Sequence, residues 1–167
     1  MSAKIYLLLD NVRSSHNVGS LLRTAEGLGI YEVILCGITP YPKLLADDER
    51  PPYLADKISR RIAKTALGAE TTQKWRYAPS ATQVIAELKA LGVEVVALEQ
   101  AKQTLPLQNY RPQGDVALIL GNEIEGVSQE LLTTSDKIVE IPMSGQKESF
   151  NVSSAGAMAL FYLTLML

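Results

Sequence analysis

The sequence predicts an α/β fold: a mostly parallel sheet with helices on both faces. Short runs rich in Val, Ile and Leu recur along the chain without apolar–polar alternation, as strands buried on both sides do. Between them lie segments whose apolar residues recur at helical spacing. Strands and helices taking turns along the chain imply parallel pairing through crossover helices.

The first predicted strand is Lys4 to Leu9, a continuous apolar run. A helix follows in which Val18, Leu21, Leu22, Ala25 and Leu28 recur, capped by Ser15 or Asn17 and stopped at Gly29. Glu32 to Cys36 is a second strand and Thr72 to Tyr77 a weaker third. Between these two, Gly37 to Pro52 reads as a long loop with four prolines and the acidic run Asp47, Asp48 and Glu49, leading into a short basic segment from Lys57 to Lys64. Ser80 with Gln83 three residues on resembles a capping box, followed by Val84, Ile85, Leu88 and Leu91 on one face and Gly92 as stop. Further strands are predicted at Val93 to Leu98, Val116 to Leu120 and Lys137 to Ile141, and a buried helix from Asn151 to Leu167.

The composition narrows the class. A chain of 167 residues with 47% hydrophobic content is expected to form one domain, 1–167, with a single substantial core. The net charge of −2 excludes strong global basicity and leaves room for a local basic patch. One cysteine, Cys36, permits no internal disulfide, and no targeting segment opens the sequence, so the cytoplasm is the expected compartment. The charge-free stretch from Asn151 is too short and too polar at its start for a membrane span. One histidine, His16, and one cysteine offer no metal cluster, so no metal is expected. Gly27-Leu28-Gly29 sits at a helix end with Glu32 where a third glycine belongs, which excludes a dinucleotide fingerprint.

Three stretches concentrate polar residues beside apolar elements. Asn11 to Ala25 is a polar loop feeding a helix on which Arg23 falls nearly opposite the Leu21, Ala25 and Leu28 face. Ile119 to Ser128 begins at the carboxyl end of a presumed parallel strand, where α/β sheets place ligands, and contains Gly121-Asn122-Glu123. Ile141 to Ala157 leaves another strand end for a helix N-terminus whose free amides could hold an anion, with Ser149 or Asn151 available as a plain cap.

Together and in this order the three stretches resemble the signature motifs of the SpoU/TrmH-type RNA ribose 2'-O-methyltransferases of the SPOUT superfamily. Asn17 and Arg23 six apart, the Gly121-Asn122-Glu123 turn and Glu148-Ser149-Phe150-Asn151 before a small-residue helix carry the likeness, and Lys64 to Glu70 adds to it. The resemblance covers Lys4 to Leu167. It implies a C-terminal deep trefoil knot, a topology that general connection rules would discard.

It also implies S-adenosylmethionine bound by the knot loops, which maps onto Leu98 and the turn after it, Gly121, Ile141, Met143 and the backbone of Asn151, Val152 and Ser153. The implied reaction moves a methyl group to a ribose 2'-hydroxyl of tRNA or rRNA. The family's proposed activator matches Arg23. Because arginine stays charged, holding RNA phosphate and stabilising a developing alkoxide suits it better than base catalysis. Asn17 would orient that arginine or the RNA; Glu123, Ser149 and Asn151 would order the pocket, with Glu123 also placed to pair with Arg23. RNA contact is expected at Arg13, Arg23, Lys57, Arg60, Arg61 and Lys64, the last four having a plain alternative as a solvated helix face. The apolar helix from Val152 and the family habit imply a homodimer through that helix. No appended RNA-binding domain is expected. The alternatives are a catalytically silent knotted RNA-binding protein and a base-methylating enzyme of the same superfamily.

Overall fold

The computed structural model describes residues 3–167. Seven strands form one sheet: β1 (Ile5–Asp10), β2 (Glu32–Cys36), β3 (Trp75–Ala78), β4 (Glu94–Leu98), β5 (Leu105–Pro106), β6 (Val116–Leu120) and β7 (Lys137–Glu140). Their order is β3-β2-β1-β6-β4-β7-β5 and every pairing is parallel. Central β1 and β6 are buried along their whole lengths, which explains their uninterrupted apolar runs.

The helices are α1 (Ser15–Leu28), α2 (Pro52–Ala66), α3 (Ala69–Thr72), α4 (Ala81–Ala90), α5 (Gln129–Thr134) and α6 (Val152–Met166). Successive residues of β1 point to opposite faces and seed two cores. Leu7 and Leu9 pack with Leu21 and Leu22 of α1, Ile62 of α2 and Leu160 and Leu163 of α6. Tyr6 and Leu8 pack on the other face with Val84, Ile85 and Leu88 of α4 and Leu131 of α5. The expected two-faced α/β architecture is therefore present.

Local differences have identifiable causes. The cap of α1 is Ser14, whose hydroxyl accepts from the Asn17 amide at 3.3 Å, in place of Ser15 or Asn17. The basic segment is no short stretch: Pro51 and Pro52 start a 15-residue helix, with Ala55, Ile62 and Ala66 buried along one side. The loop before it is ordered by Arg50, which bonds Asp48 and the carbonyls of Tyr41 and Pro42, while its guanidinium lies 3.6 Å from the Tyr41 ring centre. Ser80 caps α4 as expected, accepting from the Gln83 amide. The helix at Gln129, capped by Ser128, and the two-residue β5 have no counterpart in the sequence reading.

Two helix contacts depend on glycine. A methyl group on Gly19 of α1 would lie 2.2 Å from the Ile62 carbonyl of α2, and one on Gly156 of α6 would lie 2.6 Å from Leu21 and Leu120. Glycine thus lets α2 and α6 seat closely on the element that carries the first polar loop.

Candidate functional site

All strands run the same way, so the loops leaving β1, β4, β6 and β7 emerge at one edge of the sheet. The chain turns outward on one side through β2 and β3 and on the other through β4, β7 and β5, and a crevice opens at such a reversal. A cleft of about 440 Å³ lies there, within the range usual for small-molecule sites. Its apolar lining comes from Leu98, Leu120, Ile141 and Val152, and its polar lining includes Glu99, Glu123, Glu125 and Glu140.

The turn after β6 forms one wall. Asn122 and Gly126 exchange backbone hydrogen bonds at 3.0 and 2.9 Å, and the Asn122 side-chain carbonyl accepts from the amides of Ile124 and Glu125. A methyl group on Gly121 would lie 2.3 Å from the Gly126 carbonyl, so the turn closes this tightly only without a side chain there. The Asn122 amide also donates to the Asn11 carbonyl at 2.9 Å, tying this turn to the loop after β1. Glu99 braces the opposite side by accepting from the Val127 amide at 2.7 Å.

Glu123 is the electrostatic centre of the wall. Its carboxylate accepts from the amides of Arg13 at 2.9 Å and Ser14 at 3.0 Å and from the Asn17 side chain at 2.9 Å. Partial burial pushes this carboxyl's pKa up, and the donors from Arg13, Asn17 and Ser14 outweigh it, leaving it below the usual glutamate value. Asn17 in turn accepts from the Asn151 side-chain amide at 3.2 Å. Asn151 caps α6, its carbonyl taking the Ser153 amide at 2.9 Å, the Ser153 hydroxyl at 2.6 Å and the Ser154 amide at 3.4 Å. One chain of hydrogen bonds thus links the loop after β1, the turn after β6 and the start of α6.

The structure brings together Glu123, Ser149 and Asn151 on the cleft wall, with Asn17 bonded to two of them. Leu98, Gly121, Ile141 and Val152 also line the cleft, whereas Met143 and Ser153 do not. Arg23 stands apart: it is exposed on α1 and makes no hydrogen bond or ion pair among the described residues. Six residues of helix separate it from Asn17 and rotate it to another face, so the expected pairing with Glu123 and orientation by Asn17 are not found. Of the α6 amides expected to be free for an anion, those of Ser153 and Ser154 are taken by the Asn151 side chain. Arg13 joins the site through its backbone, while Lys57, Arg60, Arg61 and Lys64 are exposed on α2 away from the cleft.

Asn11, Asn122 and Glu140 are site residues to which the sequence assigns no role. Asn11 and Asn122 stood within the polar stretches, and a positive φ of 55° at Asn11 marks it as a turn residue. Glu99 falls in the turn after Leu98 that the resemblance implicates, and it lines the cleft. No group of His, Cys, Asp and Glu suited to a metal occurs among the described residues, nor does a helix long and apolar enough to cross a membrane.

Comparison with known proteins gives a consistent picture. The model of the SpoU rRNA Methylase family matches residues 51–161. A 23S rRNA (guanosine-2'-O-)-methyltransferase RlmB of Ralstonia nicotianae is 32% identical over 94% of this chain and 57% of its own length. The tRNA (guanosine(18)-2'-O)-methyltransferase of Escherichia coli is 25% identical over 92% of this chain and 59% of its own. The crystal structure of an AdoMet-bound rRNA methyltransferase from Sinorhizobium meliloti superposes with a TM-score of 0.82 at 26% identity, covering 100% of this chain and 58% of that one. The chain thus spans less than three-fifths of the length of these relatives.

Proposed function

Because the chain belongs to the SpoU rRNA methylase family, we propose that it transfers a methyl group from S-adenosylmethionine to a ribose 2'-hydroxyl of tRNA or rRNA. The observation that carries this is the convergence of Glu123, Asn17 and Asn151 on a cleft at the strand ends. The relatives named for guanosine 2'-O-methylation of 23S rRNA and of tRNA support the acceptor class.

The cleft suits the cofactor chemically. Leu98, Leu120, Ile141 and Val152 offer apolar surface to an adenine, and the four glutamates of the lining give a negative potential that suits a sulfonium cation. When bound, S-adenosylmethionine supplies an activated methyl group. The residues of this chain supply position: the wall held by Glu123 and the cap held by Asn151 keep the cleft's shape without rearrangement. Arg23, exposed on α1 outside the cleft lining, is assigned to holding RNA phosphate and stabilising the oxygen as it loses its proton once RNA is bound. Arg23→Ala with undiminished methyl transfer would remove it from the mechanism.

We propose a homodimer through α6, whose Met158, Phe161 and Leu165 leave an exposed apolar stripe at helical spacing. A C-terminal knot is proposed too. It is supported by the order of the sheet, in which β6 lies between β1 and β4, and β7 between β4 and β5, each inserted between strands that precede it.

The test is nucleoside mass spectrometry of tRNA and rRNA pools incubated separately with protein and labelled S-adenosylmethionine. A labelled 2'-O-methylnucleoside is the expected product. A methylated base, or no label in either pool, overturns the proposal.

A further inference from the structure

The outer face of α2 carries a second assembly that the cleft does not use. At 100° per residue Tyr53, Lys57, Arg60, Arg61 and Lys64 fall within an arc of roughly 100°, across the helix from buried Ala55, Ile62 and Ala66. All five are exposed, Tyr53 by 74%. Lys43, Arg50, Lys74, Arg76 and Lys89 are each paired with a carboxylate. None of the four α2 cations has such a partner among the described residues, and the helix's one acid, Asp56, is held by Lys43. Four unpaired cations on one face of a chain of net charge −2 are a local attractor for a polyanion.

The stripe has a direction. The Thr65 hydroxyl donates to the His16 carbonyl at 2.8 Å, and the next residue, Asn17, bonds Glu123 on the cleft wall. Lys64 therefore marks the cleft end, and Tyr53 lies about 16 Å away along the helix, eleven steps of 1.5 Å. Pro51 and Pro52 stiffen the backbone just before Tyr53, so its ring is presented from a rigid start.

We propose that this face is a track for single-stranded RNA leading away from the cleft, on which Tyr53 stacks an unpaired base while the four cations follow the phosphates. Aromatic side chains beside a cationic groove bind single strands in this way because every base has a stackable face. An intact duplex keeps its bases from the ring. A membrane surface fits less well, since amphipathic helices insert their apolar side and that side of α2 is buried in the core. The location of the methyl acceptor rests on the function proposed above; stacking at Tyr53 needs no catalysis.

The test is fluorescence anisotropy with a labelled 12-nucleotide polyuridine and with a blunt RNA duplex of equal length. Tyr53→Ala is expected to weaken polyuridine binding at least about fivefold, with Tyr53→Trp restoring it and duplex binding unchanged. Lys57→Ala with Arg61→Ala should lower the salt slope for polyuridine by about 1.4, a change Tyr53→Ala does not produce. Unchanged polyuridine affinity in Tyr53→Ala, equal loss on duplex, or a Tyr53 effect seen only on phosphatidylserine vesicles overturns the proposal. The methyl-transfer assay on the same preparations separates the two readings. Transfer with no Tyr53 effect overturns the track alone, and a Tyr53 effect on binding without transfer supports the track and overturns the enzyme.

Discussion

The side-chain amide of Asn151 donates to the side-chain carbonyl of Asn17 at 3.2 Å, joining residues 134 positions apart. Asn17 uses its other end to donate to Glu123, so a single carboxamide with both donor and acceptor sits between a carboxylate and a second carboxamide. No other side chain of this size satisfies both neighbours at once.

Substitution at Asn17 should expose that requirement. Asn17→Ala removes two exposed hydrogen bonds and is expected to cost about 1 kcal/mol of stability in urea unfolding. Asn17→Asp sets a second carboxylate against Glu123 and should cost more, about 2 kcal/mol, with methyl transfer falling further than in the alanine variant. Equal stability of the two variants would show that the Glu123 contact has no electrostatic weight.

Glu123→Gln tests the same carboxylate through pH. The native group lies below its ordinary value, so its stabilisation is present above the unfolded value of about 4.3 and is lost as pH falls through the lower native value. The urea midpoint of the wild type should exceed that of Glu123→Gln at pH 6 to 7, and the gap should close on acidification below about pH 4. A constant gap would assign the effect to shape instead of charge.

Two of the close-packed glycines, Gly121 and Gly156, should behave differently. At Gly121 an added methyl meets backbone of Gly126 and Val127, at 2.3 and 2.4 Å, so the wall of the cleft must move. Gly121→Ala is expected to weaken S-adenosylmethionine binding by at least about tenfold in titration calorimetry, about 1.4 kcal/mol. At Gly156 the methyl meets the ends of Leu21 and Leu120, and overpacking of about 1 to 3 kcal/mol is offset in part by helix propensity. Gly156→Ala should therefore lower stability modestly and leave cofactor affinity intact.

Cys36 is buried at the end of β2, and burial pushes its thiol up to about 12. In native buffer near pH 8 it should resist a disulfide reagent, reacting at the rate at which the protein opens. Addition of urea past the unfolding midpoint should release one fast-reacting thiol. Prompt reaction without denaturant would contradict the burial of β2.

What could be read from the chain follows its physics. β1, β2 and β6 are continuous apolar runs because both faces are covered, and their positions were legible to within a residue. α5 was not, since six residues with only Leu131 buried leave no period to detect. α2 is legible only in part: its cations mark a basic segment, while the spacing of Ala55, Ile62 and Ala66 that makes it a helix lies beneath them. Asn17, Glu123 and Asn151 were visible as motif members. Their mutual bonds depend on the sheet order, which local pattern does not encode. The Arg23–Glu123 pair is absent because Glu123 is held by Arg13, Ser14 and Asn17 at the start of α1, while Arg23, six positions beyond Asn17, faces another way on that helix.

The seat of α6 on α1 also has a meaning in time. Leu21 has its glycine-floored neighbour only once residue 156 has been made, which at synthesis rates of about 5–20 residues per second is roughly 7 to 27 seconds after its own addition. Through that interval the apolar side of α1 that α6 will cover waits uncovered on the ribosome. The bond from Asn151 to Asn17 closes at the same late stage, so the nascent chain carries an unfinished pocket until the final helix arrives.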